Sequence, residues 1–311
     1  MDEKLDIIAI GESMVELSTD EKLKDAECLH KYYGGDALAT AVAAVRLGSK
    51  AGFITKLGND AFKEFLLEGW KSEGLDISQV SLSEDRNGLY LIARPNFREK
   101  EFAYYRKKTA PAKLSVDDIP ESYIENAKII YSTGITQSLS MSAREVVKRS
   151  FELAHEMQLL TAYDLNFNSA VFSIENAKEY FEEVISDVDI LFMSAKHDME
   201  ILGIESIDAA IKYLWDKGVS MVVIKSSRDN GYYTGYNGNI SFTEFYTREV
   251  SDTTCSGDVF NGGFLHGITH GCNAIEATKL ASIVAGLQAK GIGAIKSIPY
   301  HDEVYSVFKG V

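Results

Sequence analysis

Short apolar runs alternate with amphipathic stretches along most of this chain. Residues 6–10 are apolar and stop at Gly11, the pattern of a buried strand. Residues 36–47 are rich in Ala, Val and Leu and end before Gly48, which predicts a helix with a glycine C-cap. Residues 51–55 predict a strand, and 61–73 an amphipathic helix closed by Gly74. Strands follow over 128–132, 159–164, 188–193 and 220–225. Helices are expected over 142–157, with a Ser at its start, over 207–217, and between the strands at 159–164 and 188–193. Buried strands separated by helices predict an α/β fold with a doubly wound, mostly parallel sheet flanked by helices. Such sheets bind ligands outside the carboxyl ends of their strands.

Two stretches break this rhythm, residues 14–33 and 87–107. The second, NGLYLIARPNFREKEFAYYRK, reads as a β-hairpin turning at Pro95, Asn96, Phe97 and Arg98. Because side chains alternate, its second strand puts Phe102, Tyr104 and Arg106 on one face. Both stretches are read as strands of a small β lid, drawn from about residues 12–33 and 87–107. The expectation is a single domain over residues 1–311, with no internal repeat, low-complexity run or long linker.

Composition narrows the partners. The 311 residues are 45% hydrophobic, enough for a substantial core. A net charge of −14 argues against nucleic acid, but not against an anionic small molecule held in a local basic pocket. The three cysteines, Cys28, Cys255 and Cys272, form no C-x-x-C pair and no zinc spacing, which fits a reduced compartment. The apolar run near the start is too short for a signal peptide, and no stretch reaches the roughly 20 apolar residues of a membrane span. The reading is a cytoplasmic protein without a membrane partner.

The sharpest chemical signal is SDTTCSGDVFNGGFLHGI, residues 251–268. A polar turn runs straight into a helix, and a helix start offers free N–H groups and partial positive charge to an anion. Asp258 sits in the first turn, after Cys255, Ser256 and Gly257. It either complements the helix dipole or serves as a base beside a bound phosphate.

This segment resembles the carboxy-terminal signature of the ribokinase-like (PfkB) sugar kinases. YYGGDALATAVAAVRLGSKAGFITKLGNDAFKEFLLEGWKSEGLD, residues 32–76, resembles their amino-terminal signature. GIGAI at 291–295 and Pro299 sit where that family carries a nucleotide-pocket segment. Two long motifs in register over nearly the whole chain are a specific signal. GGD at 34–36 with GLYLI and FAYYR is most similar to the 2-keto-3-deoxygluconate kinases.

The resemblance implies ATP-dependent phosphoryl transfer to a hydroxyl of a sugar acid. The amides of Cys255, Ser256 and Gly257 would hold the transferring phosphoryl group, and Asp258 would take the hydroxyl proton. That hole works with these side chains if none of the three needs a positive φ. Gly34, Gly35 and Asp36, with Tyr90, Tyr104, Arg106 and Asn166, would hold the substrate, the Arg matching a carboxylate. Asp36 is equally placed to cap the following helix. Lys225, Ser226, Ser227, Gly231 and Gly257 would face the nucleotide, with Ser282, Ala285, Gly293 and Ala294 leaving room for adenine. Magnesium would arrive with ATP, and a monovalent cation near Asp252 is implied by resemblance alone. The apolar Leu89, Leu91 and Phe102 of the lid predict a homodimer through it.

Four departures from the family pattern stand out. Cys255 and Ser256 replace Gly-Ala, and Ala39 replaces an Asn. Asn168 ends DLNFN (164–168) in place of an Arg, and SAKH (194–197) replaces N-x-x-E. Ser194 and His197 cannot order a magnesium-bound water as Asn and Glu would, and His197 reads as a surface helix residue. Two alternatives therefore stay open: a kinase of a neutral sugar or nucleoside, and a non-catalytic ligand-binding descendant.

Overall fold

The computed structural model describes residues 4–96 and 99–308. Phe97 and Arg98 of the expected hairpin turn lie outside the described residues. Among the described residues, thirteen strands form two sheets. They are β1 (Leu5–Ile10), β2 (Met14–Thr19), β3 (His30–Gly34), β4 (Ala51–Gly58), β5 (Val80–Ser83), β6 (Gly88–Asn96) and β7 (Glu99–Tyr105). The rest are β8 (Ala127–Thr133), β9 (Leu160–Asp164), β10 (Ile190–Ser194), β11 (Met221–Ser226), β12 (Gly231–Tyr236) and β13 (Asn239–Glu244).

The large sheet has the order β13-β12-β11-β10-β9-β8-β1-β4-β5. Its strands pair in parallel except for the antiparallel hairpin β12–β13 and its junction with β11. Alternation along β1 explains how both faces are covered. Ile7 and Ala9 face a core built with helices Asp36–Arg46, Ser256–Thr269 and Ala274–Lys290. Ile8 and Ile10 face a second core built with helices Met141–Glu156, Ile174–Val184 and Ile207–Asp216. A strand buried on both faces reads as a continuous apolar run, as LDIIAI does.

The chain passes from β1 outward through β4 to β5, then returns to start again at β8 and proceeds outward on the other side. The order thus reverses between β1 and β8, and a crevice opens past their carboxyl ends. The four-stranded sheet, order β3-β2-β6-β7, forms the expected lid. Its β2 and β6 are parallel, and the outer pairs are antiparallel.

Boundaries shift by a few residues from expectation. The helix expected to begin with a Ser at 142 starts at Met141, because Ser140 caps it by accepting from the N–H of Ala143. The hairpin β12–β13 was not anticipated. It turns at Asn237 and Gly238, both at positive φ. Among the described residues no helix is long and apolar enough to cross a membrane, and the three cysteines are free.

Candidate active site

Two cavities meet at the start of helix Ser256–Thr269. One, of about 680 Å³, lies under the lid and is lined by Asp36, Tyr90, Tyr104, Arg106, Asn168 and other residues. The other, of about 560 Å³, lies over the carboxyl ends of β9, β10 and β11. Asn166, His197, Thr253, Cys255 and Asp258 border both.

Asp258 is the buried acid at this junction. Asn166, at φ +42, donates its side-chain N–H to Asp258 Oδ1 at 3.0 Å. Burial pushes the Asp258 carboxyl up to about 8; the charges of Asp36 and Asp164 add to this, and Lys225 opposes it. Lys225 Nζ lies 2.7 Å from Asp164 Oδ2 and 3.2 Å from the Gly257 carbonyl. Asn261, one helical turn beyond Asp258, donates to Asp164 Oδ2 at 2.6 Å.

The helix entry differs from expectation. Cys255 is its N-cap at φ +60, so one residue of the hole does adopt the left-handed conformation. For a residue with a Cβ that costs roughly 1–2 kcal/mol. The Cys255 thiol works against the rise of the Asp258 carboxyl, and both residues border the two cavities. Ser256 donates its N–H to the Thr253 carbonyl at 3.2 Å, which takes one of the three expected amides into a turn.

On the lid side, Asp36 opens helix Asp36–Arg46 but its side chain does not cap it. Its Oδ2 accepts from Thr133 Oγ1 at 2.6 Å, and its buried Oδ1 has no hydrogen-bond partner. Thr133 ends β8, and Glu12 follows β1, so the strand reversal assembles this wall. Gly35, at φ +146, has room for no Cβ, which would stand 2.4 Å from the Glu12 carbonyl. Gly34 is a floor: a Cβ there would meet the Tyr90 hydroxyl at 2.5 Å. Tyr90 in turn hydrogen-bonds the buried Glu16. Tyr104 packs with its ring centroid 6.0 Å from that of Tyr90, and Phe102 stacks on Tyr104 at 5.8 Å.

Arg106 is not the free cation that the sequence suggested. It forms an ion pair with Glu12, without an aligned hydrogen bond from the contacting nitrogen. Burial raises the Glu12 carboxyl to about 7, although Arg106 pulls the other way. Asp252 is also occupied. Arg94 and Lys100, both from the lid hairpin, contact its two carboxylate oxygens at 2.8 and 2.7 Å. Burial pushes this carboxyl up, but the Lys100 and Thr254 hydrogen bonds outweigh it and hold the group below the usual range.

The nucleotide-side expectations divide. Lys225, Ser227, Gly257, Ser282 and Ala285 line the second cavity, together with Tyr232, Phe245, Tyr246 and Gly286. Ser282 also accepts from Tyr246 N–H at 2.9 Å and so fixes that wall. Ser226 is turned away: its hydroxyl donates to Asp229 at 2.7 Å and shapes the turn into β12. Gly231 starts β12 rather than turning below the cavity, where a Cβ would strike Phe242 at 2.4 Å. Gly293 and Ala294 line a separate cavity with Tyr33 and Arg46, and the Gly293 N–H donates to Asp252 Oδ2 at 3.2 Å. His197 lies on the turn after β10, exposed at the mouth of both cavities, not on a helix. Ser194 donates its N–H to Asp198, whose carboxyl burial and Asp164 raise to about 7.

Glu12, Glu16, Arg94, Lys100, Thr133, Asp198 and Asn261 were missed in the sequence. Asn261 was findable from its spacing of three from Asp258 on one helix face, and Glu12 from its place just past a strand's carboxyl end. The lid residues had no such marker, because their partners are remote in sequence.

Adjoining cavities that share a buried acid at a helix start are the layout of a small-molecule phosphotransferase. A model of the pfkB family carbohydrate kinases matches residues 4–300, and the chain belongs to that family. It is 26% identical to a 5-dehydro-2-deoxygluconokinase of Clostridium perfringens, over 98% of this chain and 93% of that one. It is 25% identical to a 2-dehydro-3-deoxygluconokinase of Bacillus subtilis, over 97% and 95%. Its fold matches a putative Ribokinase II of E. coli, solved in complex with ATP and magnesium, with a TM-score of 0.90 at 20% identity over 99% and 100% of the chains.

Proposed function

We propose that this carbohydrate kinase transfers the γ-phosphoryl group of ATP to a hydroxyl of a sugar acid of the deoxy-keto-gluconate class. The observation that carries the acid is Arg106 on the wall of the lid cavity. Its ion-pair partner there, Glu12, is held near 7, where a proton can neutralise it and leave the guanidinium for a carboxylate. The relatives' names point to the same class.

In this reading the sugar lies under the lid, where Asp36 Oδ1 accepts from a hydroxyl. Asn166 orients Asp258, and Asp258 takes the proton of the attacking oxygen. ATP lies in the second cavity, with adenine against Tyr232, Phe245 and Ala285. The amides of Cys255 and Gly257 meet the transferring group, and Lys225 offsets its charge. Magnesium enters as part of the nucleotide substrate. Asp164 and Asp198 already accept from Lys225, Asn261 and backbone N–H groups, which suits an ion held by phosphates and water.

A neutral sugar is the second reading, favoured by the Arg106–Glu12 pair itself and by Asn168 on the same wall. An ATP-coupled screen of keto-deoxy sugar acids, aldonic acids, hexoses and nucleosides separates the two. Efficient turnover of the acids supports the proposal, and turnover confined to neutral compounds replaces it with the second reading.

We also infer pairing of two chains through the lid. β7 is an open edge strand, and Tyr105 on it is 62% exposed. Phe102 on the same strand is 42% exposed and also borders the sugar cavity. Sedimentation at micromolar concentration should give a dimer; a monomer contradicts this.

A further inference from the structure

Asp252 begins the loop that leads into helix Ser256–Thr269, and its side chain is wholly buried. Oδ1 accepts from Lys100 Nζ at 2.7 Å, from the Thr254 N–H at 3.0 Å and from the Thr254 hydroxyl at 2.6 Å. Oδ2 faces Arg94 Nε at 2.8 Å and the Gly293 N–H at 3.2 Å. Lys100 also donates to the Thr254 hydroxyl at 3.2 Å. A monovalent cation does not fit at this carboxylate: both oxygens are engaged, and two side-chain cations already supply positive charge.

Those cations come from the lid, 152 residues away from Asp252 in the case of Lys100. Arg94 and Lys100 flank the Ala93–Glu101 pair of the hairpin, where the register shifts. Arg94 continues to Glu16 at 3.4 Å, and Glu16 to Tyr90. One buried charge network therefore runs from the loop below the phosphoryl site to the floor of the sugar site. An anion buried without its partner is unfavourable, so this loop is set only while the hairpin is down.

We propose that Lys100 is a positioning residue whose ammonium replaces a free monovalent cation at Asp252, fixing the loop 252–257 when the lid is closed. The proposal rests on the kinase reading above for its effect on turnover, and its structural half is testable without any sugar. Thermal unfolding of the full chain is compared in tetramethylammonium, potassium, ammonium and methylammonium chlorides at equal ionic strength. The native chain should show the same Tm in all four. Lys100→Ala should lose about 4–8 °C in tetramethylammonium and regain at least half with one of the small cations. Lys100→Arg should stay near the native value. With an active sugar, Lys100→Ala should lose roughly 30-fold or more in kcat with sugar KM within about 3-fold, and the same cation should restore kcat.

Specific stabilisation of the native chain by potassium overturns the proposal. So does a Lys100→Ala defect that no small cation repairs, or one confined to sugar KM. If Lys100→Ala does not fold, the ion-independence of the native chain and the behaviour of Lys100→Arg decide alone. Ion-specific repair of stability with no turnover on any sugar would uphold this inference and sink the kinase substrate reading instead.

Discussion

The ammonium of Lys225 lies 2.7 Å from Asp164 Oδ2, and this pair sits beneath Asp258. Asp164 and Asp258 thus share this lysine, the charge of Asp36 adds to theirs, and Asp258 is pushed up to about 8. Asp164→Asn removes a like charge and frees Lys225, so both changes favour the ionised form of Asp258. The acidic limb of kcat/KM, which reports the free enzyme's base, should move to lower pH. A pH profile over 5.5–9.5 checks this; an unmoved or raised limb is the adverse result.

Cys255 carries the strain of the helix entry. Cys255→Gly should raise stability by about 1 kcal/mol, because glycine adopts φ +60 without a Cβ penalty. Turnover should stay within about 5-fold, since in the proposed mechanism the backbone amide and not the thiol meets the phosphoryl group. Urea denaturation measures the first and steady-state kinetics the second. A destabilised glycine variant would show that the thiol contact to Asp258 outweighs the backbone cost.

Arg106 tests the charge of the substrate. Arg106→Ala should cost roughly 30- to 1000-fold in kcat/KM for a sugar acid and about 5-fold for its neutral analogue. Glu12→Gln, which removes the competing carboxyl, should lower KM for the acid. Equal and small losses on both compounds would favour the neutral-sugar reading.

Stability should fall as pH rises from about 6.5 to 8.5. Glu12, Asp198 and Asp258 are raised to about 7, 7 and 8, so the folded chain keeps protons that the unfolded chain has released. Their contribution is full below about pH 4 and is lost as pH rises through these values. His266 acts oppositely, since burial lowers it to about 3, but its effect ends near 6.5. Asp252, held low, matters only in acid. Burial raises Asp36 and Glu16 as well, so above 6.5 the raised acids dominate. Asp258→Asn should flatten the fall and be the more stable protein at pH 8.5. Calorimetric scans at four pH values would expose an opposite slope.

The architecture was legible because its strands are buried on both faces and read as apolar runs, as residues 5–10 do. Asp258, Asp36 and Arg106 were legible through motifs that mark a helix start, a glycine floor and an alternating strand. The hairpin at Tyr236-Asn237-Gly238-Asn239 carries its own sequence signal, an Asn-Gly turn between two paired strands. What the sequence hid is charge pairing across the fold. Neither Glu12 against Arg106 nor Asp252 against Arg94 and Lys100 has any local pattern. Each pair exists only once the lid lies over the strand ends, and each changed the meaning of a residue already singled out. Ser226 and Gly293 show the converse, residues at motif positions whose atoms serve a turn and the Asp252 carboxylate.

The central claim is that Asp258 takes the proton of the attacking hydroxyl. Asp258→Asn keeps the shape of the side chain and its reach to Asn166 while removing the base. Single-turnover phosphorylation of the best sugar from the screen, at saturating ATP and pH 8.5, isolates the chemical step. We expect the rate to fall by about 100-fold or more, with ATP affinity within about 3-fold of the native chain. An Asn variant that phosphorylates the sugar at a near-native rate would contradict the account.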